Sequence, residues 1–116
     1  MKPPRILIVE DEPWIAMNLE EMVAEFVTAT VVVKPSVAAT KNALQEQEAV
    51  DFAFLDVEVT NGKTFEVANM LERKSVPFVF VSGSPQDQLP SDLRPVPFVS
   101  KPFSPAQIER VLQILH

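Results

Sequence analysis

Apolar tetrads recur along the chain at Ile6-Leu7-Ile8-Val9, Phe52-Ala53-Phe54-Leu55 and Phe78-Val79-Phe80-Val81, each giving way abruptly to polar residues. Four apolar residues in a row leave no face for solvent. Such runs read as strands buried on both sides, as in a parallel sheet covered by helices. The β-branched stretch Thr28 to Val33 and the short segment Phe98 to Ser100 supply two more strands, while the third tetrad's strand starts at Pro77 and the second covers Asp51 to Asp56. Between strands the apolar spacing becomes helical. After Pro13, which suits a first helical turn, Ile15, Leu19, Met22 and Phe26 recur every three or four positions, with Glu20, Glu21 and Glu25 between them. Ser36 predicts the N-cap of a helix running to about Glu48, with Val37, Ala38 and Leu44 as its apolar face. Asn61-Gly62 marks a turn before a helix over Thr64 to Lys74 that carries Phe65, Ala68 and Leu71. The last helix starts at Ser104-Pro105 and shows the stripe Ile108, Val111, Leu112 and Leu115.

One crossover breaks this rhythm. The segment Gly83 to Pro97 holds Pro85, Pro90, Pro95 and Pro97 and few apolar residues. Proline removes a backbone donor and clashes with the preceding turn, so a loop is expected here with at most one short turn around Gln86 to Leu89. The resulting order is five strands and four helices, βαβαβαβ(loop)βα. Right-handed crossovers then place helices on both faces of an α/β parallel sheet. The 116 residues show no linker or repeat and read as a single domain, 1–116.

Composition narrows the classes. A 47% hydrophobic and 22% charged chain is that of a globular protein, and no apolar run is long enough to span a bilayer. The absence of cysteine excludes a disulfide framework and thiolate metal sites and fits a cytoplasmic location. A net charge of −6 argues against direct contact with nucleic acid. Part of that charge is concentrated at Glu10, Asp11, Glu12 and Asp56.

Those acids stand where strands end. The first run stops at Glu10-Asp11, the second at Asp56, the third at Ser82, and the last at Lys101. In parallel sheets the ligand crevice lies outside the carboxyl ends of the strands. One edge would therefore gather carboxylates, a hydroxyl and an ammonium, which suits a divalent cation (Mg²⁺, or Mn²⁺) and a phosphoryl group. Taken singly, each residue has an ordinary reading. Asp11 and Glu12 precede a helix and favour its dipole, Ser82 fits a strand-end hydroxyl satisfied by backbone, and Lys101 fits a surface lysine. Their joint placement at successive strand ends favours chemistry. Asp56 is then a candidate nucleophile able to form an acyl phosphate, with Lys101 neutralising phosphoryl oxygens and Gly83 leaving room for the group. Trp14 is expected at or near the surface, and the terminal His116 is no ligand.

The chain resembles the receiver domain of two-component response regulators along essentially its whole length. The matching residues are Ile6 to Pro13, Leu55-Asp56, Val81-Ser82-Gly83 and Lys101-Pro102-Phe103. The resemblance implies a flavodoxin-like fold with five parallel strands in the order 2-1-3-4-5. It implies Asp56 as phosphoacceptor, Asp11 as direct metal ligand, Glu10 as a ligand through water, and the backbone carbonyl of Glu58 as a further ligand. It further implies Ser82 as the switch hydroxyl, Lys101 as the phosphoryl-contacting lysine, Phe98 as the rotating aromatic, and a cis Lys101-Pro102 bond. Read alone, Phe98 fits plain core equally well. The partners it implies are a sensor histidine kinase or phosphotransfer protein and a downstream target protein, with no turnover chemistry of its own. Three departures stand out: no proline in Val57-Glu58-Val59-Thr60, Ser in place of Thr at position 82, and the degenerate fourth crossover. The last of these, after Pro77 to Gly83, is similar to a proteobacterial subgroup of stand-alone receivers that work with kinases of the HWE or related class. The competing reading is a phosphohydrolase of haloacid-dehalogenase type, whose nucleophile motif Asp56 to Thr60 superficially mimics. That family places its metal-binding acids after the nucleophile, whereas Glu10 and Asp11 precede it. A flavodoxin-like ligand-binding module would require a phosphate loop where Glu10-Asp11-Glu12-Pro13 stands.

Overall fold

A computed structural model describes residues 2–46 and 49–113. Five strands, β1 (Arg5–Val9), β2 (Thr30–Lys34), β3 (Phe52–Leu55), β6 (Phe78–Ser82) and β7 (Phe98–Ser100), form one parallel sheet in the order β2-β1-β3-β6-β7. Counting only these five, the order is the expected 2-1-3-4-5. A separate two-stranded hairpin, β4 (Glu58–Val59) with β5 (Gly62–Lys63), follows β3 and pairs antiparallel. The helices are α1 (Pro13–Phe26), α2 (Val37–Gln45), α3 (Phe65–Arg73) and α4 (Pro105–Leu112).

The apolar tetrads work because strand side chains alternate between faces. Leu7, Val9, Ala53, Leu55, Phe78 and Phe80 enter one core with Leu44 of α2 and Val67, Ala68 and Leu71 of α3. Ile6, Ile8, Phe52, Phe54, Val79 and Val81 enter the other core, with Leu19 and Val23 of α1 and Ile108 and Leu112 of α4. The central strands β1, β3 and β6 are thus covered on both sides, the edge strand β2 is only partly covered, and the polar residues are confined to the strand ends.

Local chemistry sets the helix boundaries. Ser36 caps α2 as expected, accepting from the Ala39 N–H at 3.1 Å. Ser104 and Gln107 form a capping box at α4, with Pro105 in its first turn. The details of two apolar faces differ from expectation. On α1 the innermost residues are Ala16, Leu19 and Val23, with Ile15, Met22 and Phe26 half-buried beside them. On α2 Ala38 is exposed, and Thr40 and Ala43 join Leu44 inside. Thr40 can be buried because its hydroxyl donates to the Ser36 carbonyl at 2.8 Å. The second strand begins at Thr30 rather than Thr28. The expected end of α2 near Glu48, and Leu115 and His116, lie outside the described residues.

The crossover between β6 and β7 forms two 3-10 turns, Gln86–Gln88 and Ser91–Leu93, where one was expected. Leu89 and Leu93 are buried in the α2–α3 core, so apolar anchors spaced four apart survive without a helix. Arg94 takes over work a helix backbone would do: Nε donates to the Leu89 carbonyl at 3.1 Å and Nη2 to that of Asp87 at 3.2 Å. Leu93→Ala should therefore destabilise the fold by about 2–5 kcal/mol in urea unfolding, while Gln88→Ala on the exposed side should stay within about 0.5 kcal/mol. Equal effects would show that the segment is not anchored.

Candidate functional site

Ladder hydrogen bonds extend one residue beyond the last strand pairs and seat the acids and the lysine. The Glu10 N–H donates to the Lys34 carbonyl (3.1 Å), that of Asp56 to Val9 (3.0 Å), and that of Lys101 to Ser82 (2.9 Å). Each is the first residue after a buried strand, so each side chain leaves the core at the same edge. The parallel register makes their convergence unavoidable.

Lys101 Nζ lies 2.6 Å from Glu10 Oε1 and 2.9 Å from Asp56 Oδ2, bridging the ends of β1 and β3. The pairs are sheltered, with side-chain exposures of 18% for Lys101, 5% for Glu10 and 11% for Asp56. Burial pulls the Lys101 pKa down, but its hydrogen bonds to Glu10 and Asp56 outweigh that, and the net direction is up. Burial pushes the Glu10 pKa up, and the opposing hydrogen bonds from Lys101 and the Glu12 N–H do not fully offset it. Glu10 Oε2 accepts from that N–H at 3.1 Å, so both carboxylate oxygens are engaged.

Carboxylate oxygens of Glu10, Asp11 and Asp56 lie within 4.8 Å of one another. Asp11 is exposed at the mouth while Glu10 is buried behind it. Three carboxylates against one ammonium leave two negative charges uncompensated, which a divalent cation matches. The donors are all oxygen, so the set fits a hard cation such as Mg²⁺.

Ser82 is buried at the end of β6, and its Oγ accepts from the Ser84 N–H at 3.0 Å. This bond satisfies the hydroxyl as an acceptor from backbone, and among the described residues it is the hydrogen bond found for that side chain. Beside Gly83 the space is open: an added Cβ would meet nothing within 4 Å. Phe98 is half-buried against the cluster containing Phe80. The Glu58 side chain pairs with Lys63 at 3.0 Å across the hairpin. The Lys101-Pro102 peptide is cis, as the resemblance implies. Trp14 and Met17 stand on the surface of α1, 80% and 46% exposed. Beside them Ile15, Asn18, Lys101, Pro102 and Phe103 line a cavity of about 320 Å³.

Two hydroxyls escaped sequence reasoning. Thr64, fully buried, donates to the Asp56 carbonyl, and its N–H donates to the Val57 carbonyl at 2.9 Å, clamping the base of the hairpin. This explains why Thr64, although at the N-cap of α3, makes no side-chain cap bond. Thr60 at the hairpin tip approaches Asp11 Oδ2 at 3.4 Å. A threonine just before a helix reads as a cap, so only the tertiary placement reveals these roles.

The structure is thus a doubly wound parallel sheet with three carboxylates and a lysine gathered at its carboxyl edge. The chain belongs to the response regulator receiver domain family, whose model matches residues 6–113. It is 30% identical over 111 residues to the phyllosphere-induced regulator PhyR of Methylorubrum extorquens, covering 92% of this chain but 41% of that protein. The chain therefore spans about two fifths of that relative's length. Among solved structures it is similar to SdrG from Sphingomonas melonis Fr1, with 36% identity, TM-score 0.79, and coverage of 97% of this chain and 96% of that one. PhyR from Brucella abortus is 29% identical with TM-score 0.77, matching 97% of this chain and 46% of that one. Membership in this family leaves the phosphohydrolase reading without support.

Removing the ammonium should leave Glu10 and Asp56 facing each other. Lys101→Met in chelator should lose about 3 kcal/mol at pH 7, the low end for breaking a sheltered ion pair. Without Lys101 the buried Glu10 carboxyl loses the hydrogen bond that opposes its upward shift, so the cost of its charge applies where it is ionised and fades as it takes up a proton. The stability gap to the native chain should accordingly narrow as pH falls toward about 4. On the alkaline side, the raised Lys101 pKa means that its stabilisation is complete below the unfolded-state lysine value and is lost as pH rises through the folded-state one. Urea titrations across pH check both arms, and a gap independent of pH would contradict the pairing.

Proposed function

We propose that this chain is a phosphoacceptor switch that takes a phosphoryl group from a histidine-kinase phosphohistidine, or from a phosphotransfer protein, onto Asp56. The observation that carries this reading is the Lys101 ammonium held against Asp56 Oδ2 and Glu10 Oε1 beside the Asp11 carboxylate. An Asp56 oxygen attacks phosphorus, a P–O bond forms as the P–N bond to the donor imidazole breaks, and the imidazole leaves with the electron pair and takes up a proton. Glu10, Asp11, Asp56 and the backbone carbonyl of Glu58 would hold Mg²⁺, or Mn²⁺ in its place. The bound cation supplies positive charge against the oxygens of the transferring group. Lys101 neutralises a second phosphoryl oxygen and keeps Asp56 oriented, so its share of catalysis is positioning and electrostatics.

Once formed, the acyl phosphate carries roughly −1.5 to −2 charges where the Asp56 carboxylate carried one, and it presents new acceptor oxygens at that strand end. Ser82 donates its hydroxyl proton to a phosphoryl oxygen, and Phe98, packed in the same core as Phe80, adjusts with it. The group shifts a population between two packings and controls a partner protein, so the chain acts as a switch and not as a turnover enzyme. The span 1–116 functions as one receiver domain in the cytoplasm, and the net charge of −6 fits a protein partner better than nucleic acid. The likeness to SdrG, 36% identical and also solved in a BeF3-activated conformation, supports this switching role. Exposed Trp14 and Met17 beside the Lys101-Pro102-Phe103 cavity offer the donor protein an apolar landing face next to Asp56.

Asp56→Asn should abolish acid-labile labelling by either a phosphorylated kinase or acetyl phosphate with Mg²⁺; a label that persists would sink the assignment. Trp14→Ala should slow transfer from the kinase by about tenfold, the equivalent of roughly 1.4 kcal/mol of docking, and leave labelling by acetyl phosphate unchanged. Equal slowing with both donors would instead place Trp14 in the chemistry.

A further inference from the structure

The hairpin tip is tied to the site in a way the proposed reaction does not use. Thr60 stands at the end of the proline-free stretch Val57 to Thr60, and its Oγ1 lies 3.4 Å from Asp11 Oδ2. Among the described residues this hydroxyl is the hydrogen-bond donor to Asp11, whereas Glu10 has both Lys101 and the Glu12 N–H. Asp11 itself is exposed.

The threonine itself is well held. Its carbonyl accepts from the Val37 N–H at 3.0 Å, and Ser36 bridges to it in parallel, so the start of α2 grips the hairpin tip. Asn61 (φ 76°) and Gly62 (φ 124°) adopt left-handed backbone to turn the chain immediately after it. Thr64 closes the hairpin base through Asp56 and Val57. A tip fixed at base and side can orient an exposed carboxylate, and it joins the loop after β1 to the loop after β3, both of which carry proposed ligands. A proline here could not supply the hydroxyl.

Resting on the metal-site reading above, we infer that Thr60 is a positioning residue that fixes the Asp11 carboxylate for the divalent cation. Hydrogen bonds from outside the ligand set restrict ligand rotamers and so reduce the entropy lost when the ion binds. Thr60→Val keeps the β-branched shape and removes the donor; Thr60→Ser keeps the donor.

Mn²⁺ binding read by the loss of the free-ion electron paramagnetic resonance signal tests this without phosphorylation. Thr60→Val should weaken Mn²⁺ binding by about tenfold, the low end for such partners because the bond is long and exposed. Thr60→Ser should bind like the native chain, and the thermal midpoints of both in chelator should match it. In an Asp11→Asn background, Thr60→Val should have no further effect. Native-like binding by Thr60→Val, or equal weakening in Thr60→Ser, overturns the role of Thr60 while leaving the metal site intact. Failure of the native chain to bind Mn²⁺ overturns the metal site, and this inference with it.

Discussion

Glu10 and Asp56 emerge from adjacent strands one residue past their last paired positions, so the parallel register forces two carboxylates together at the edge of a closed core. Such an arrangement is unfavourable unless a cation intervenes, and the Lys101 ammonium supplies it at 2.6 and 2.9 Å. Lys101 comes from a strand two places further along the sheet, which means that the pairing depends on β6 and β7 being in register as well. The whole sheet is therefore a condition of the site. In return the site tolerates a concentration of charge that would otherwise oppose folding, and the excess of carboxylates over ammonium leaves the edge ready for a divalent cation.

The same edge connects to two unusual segments. One is the hairpin after β3, where Thr64 anchors the base and Thr60 reaches Asp11. The other follows Ser82, whose hydroxyl accepts from the Ser84 N–H and so begins the turn leading into the two 3-10 turns. That crossover keeps its core contacts through Leu89 and Leu93 while Arg94 satisfies carbonyls that a regular helix would have paired internally. A change in what Ser82 bonds would thus be felt first by a segment with few repeating backbone bonds, where small shifts cost little. Under the proposed function, the region between β6 and β7 would be the first to respond to a group placed on Asp56.

Much of this is legible in the amino-acid sequence. Ile6 to Val9, Phe52 to Leu55 and Phe78 to Val81 announced buried parallel strands because no other element hides four consecutive apolar side chains so economically, and the observed order β2-β1-β3-β6-β7 follows. Ser36 and Ser104 announced helix starts because a cap acts over three residues of sequence. Burial on weaker helix faces was harder to read. On α2 the expected Ala38 is exposed and Thr40, absent from the expected face, is buried, since a threonine whose hydroxyl returns to its own helix backbone can be buried and an alanine loses little by exposure. The second 3-10 turn was missed for a related reason: its stability comes from Leu93 inserting into a core assembled by other segments.

By itself, then, the sequence determined which residues end each strand and hence which chemistry could gather at the sheet edge, because strand burial and capping are local properties of neighbouring side chains. Only the tertiary structure decided how that chemistry is wired. It pairs Lys101 with both Glu10 and Asp56 and sends Glu58 to Lys63. It also brings Thr60 to Asp11 across 49 residues and seats the Thr64 hydroxyl on the Asp56 carbonyl. Those contacts depend on angstrom-scale distances between loops distant in sequence, and such distances exist only after the sheet register and the two cores have set them.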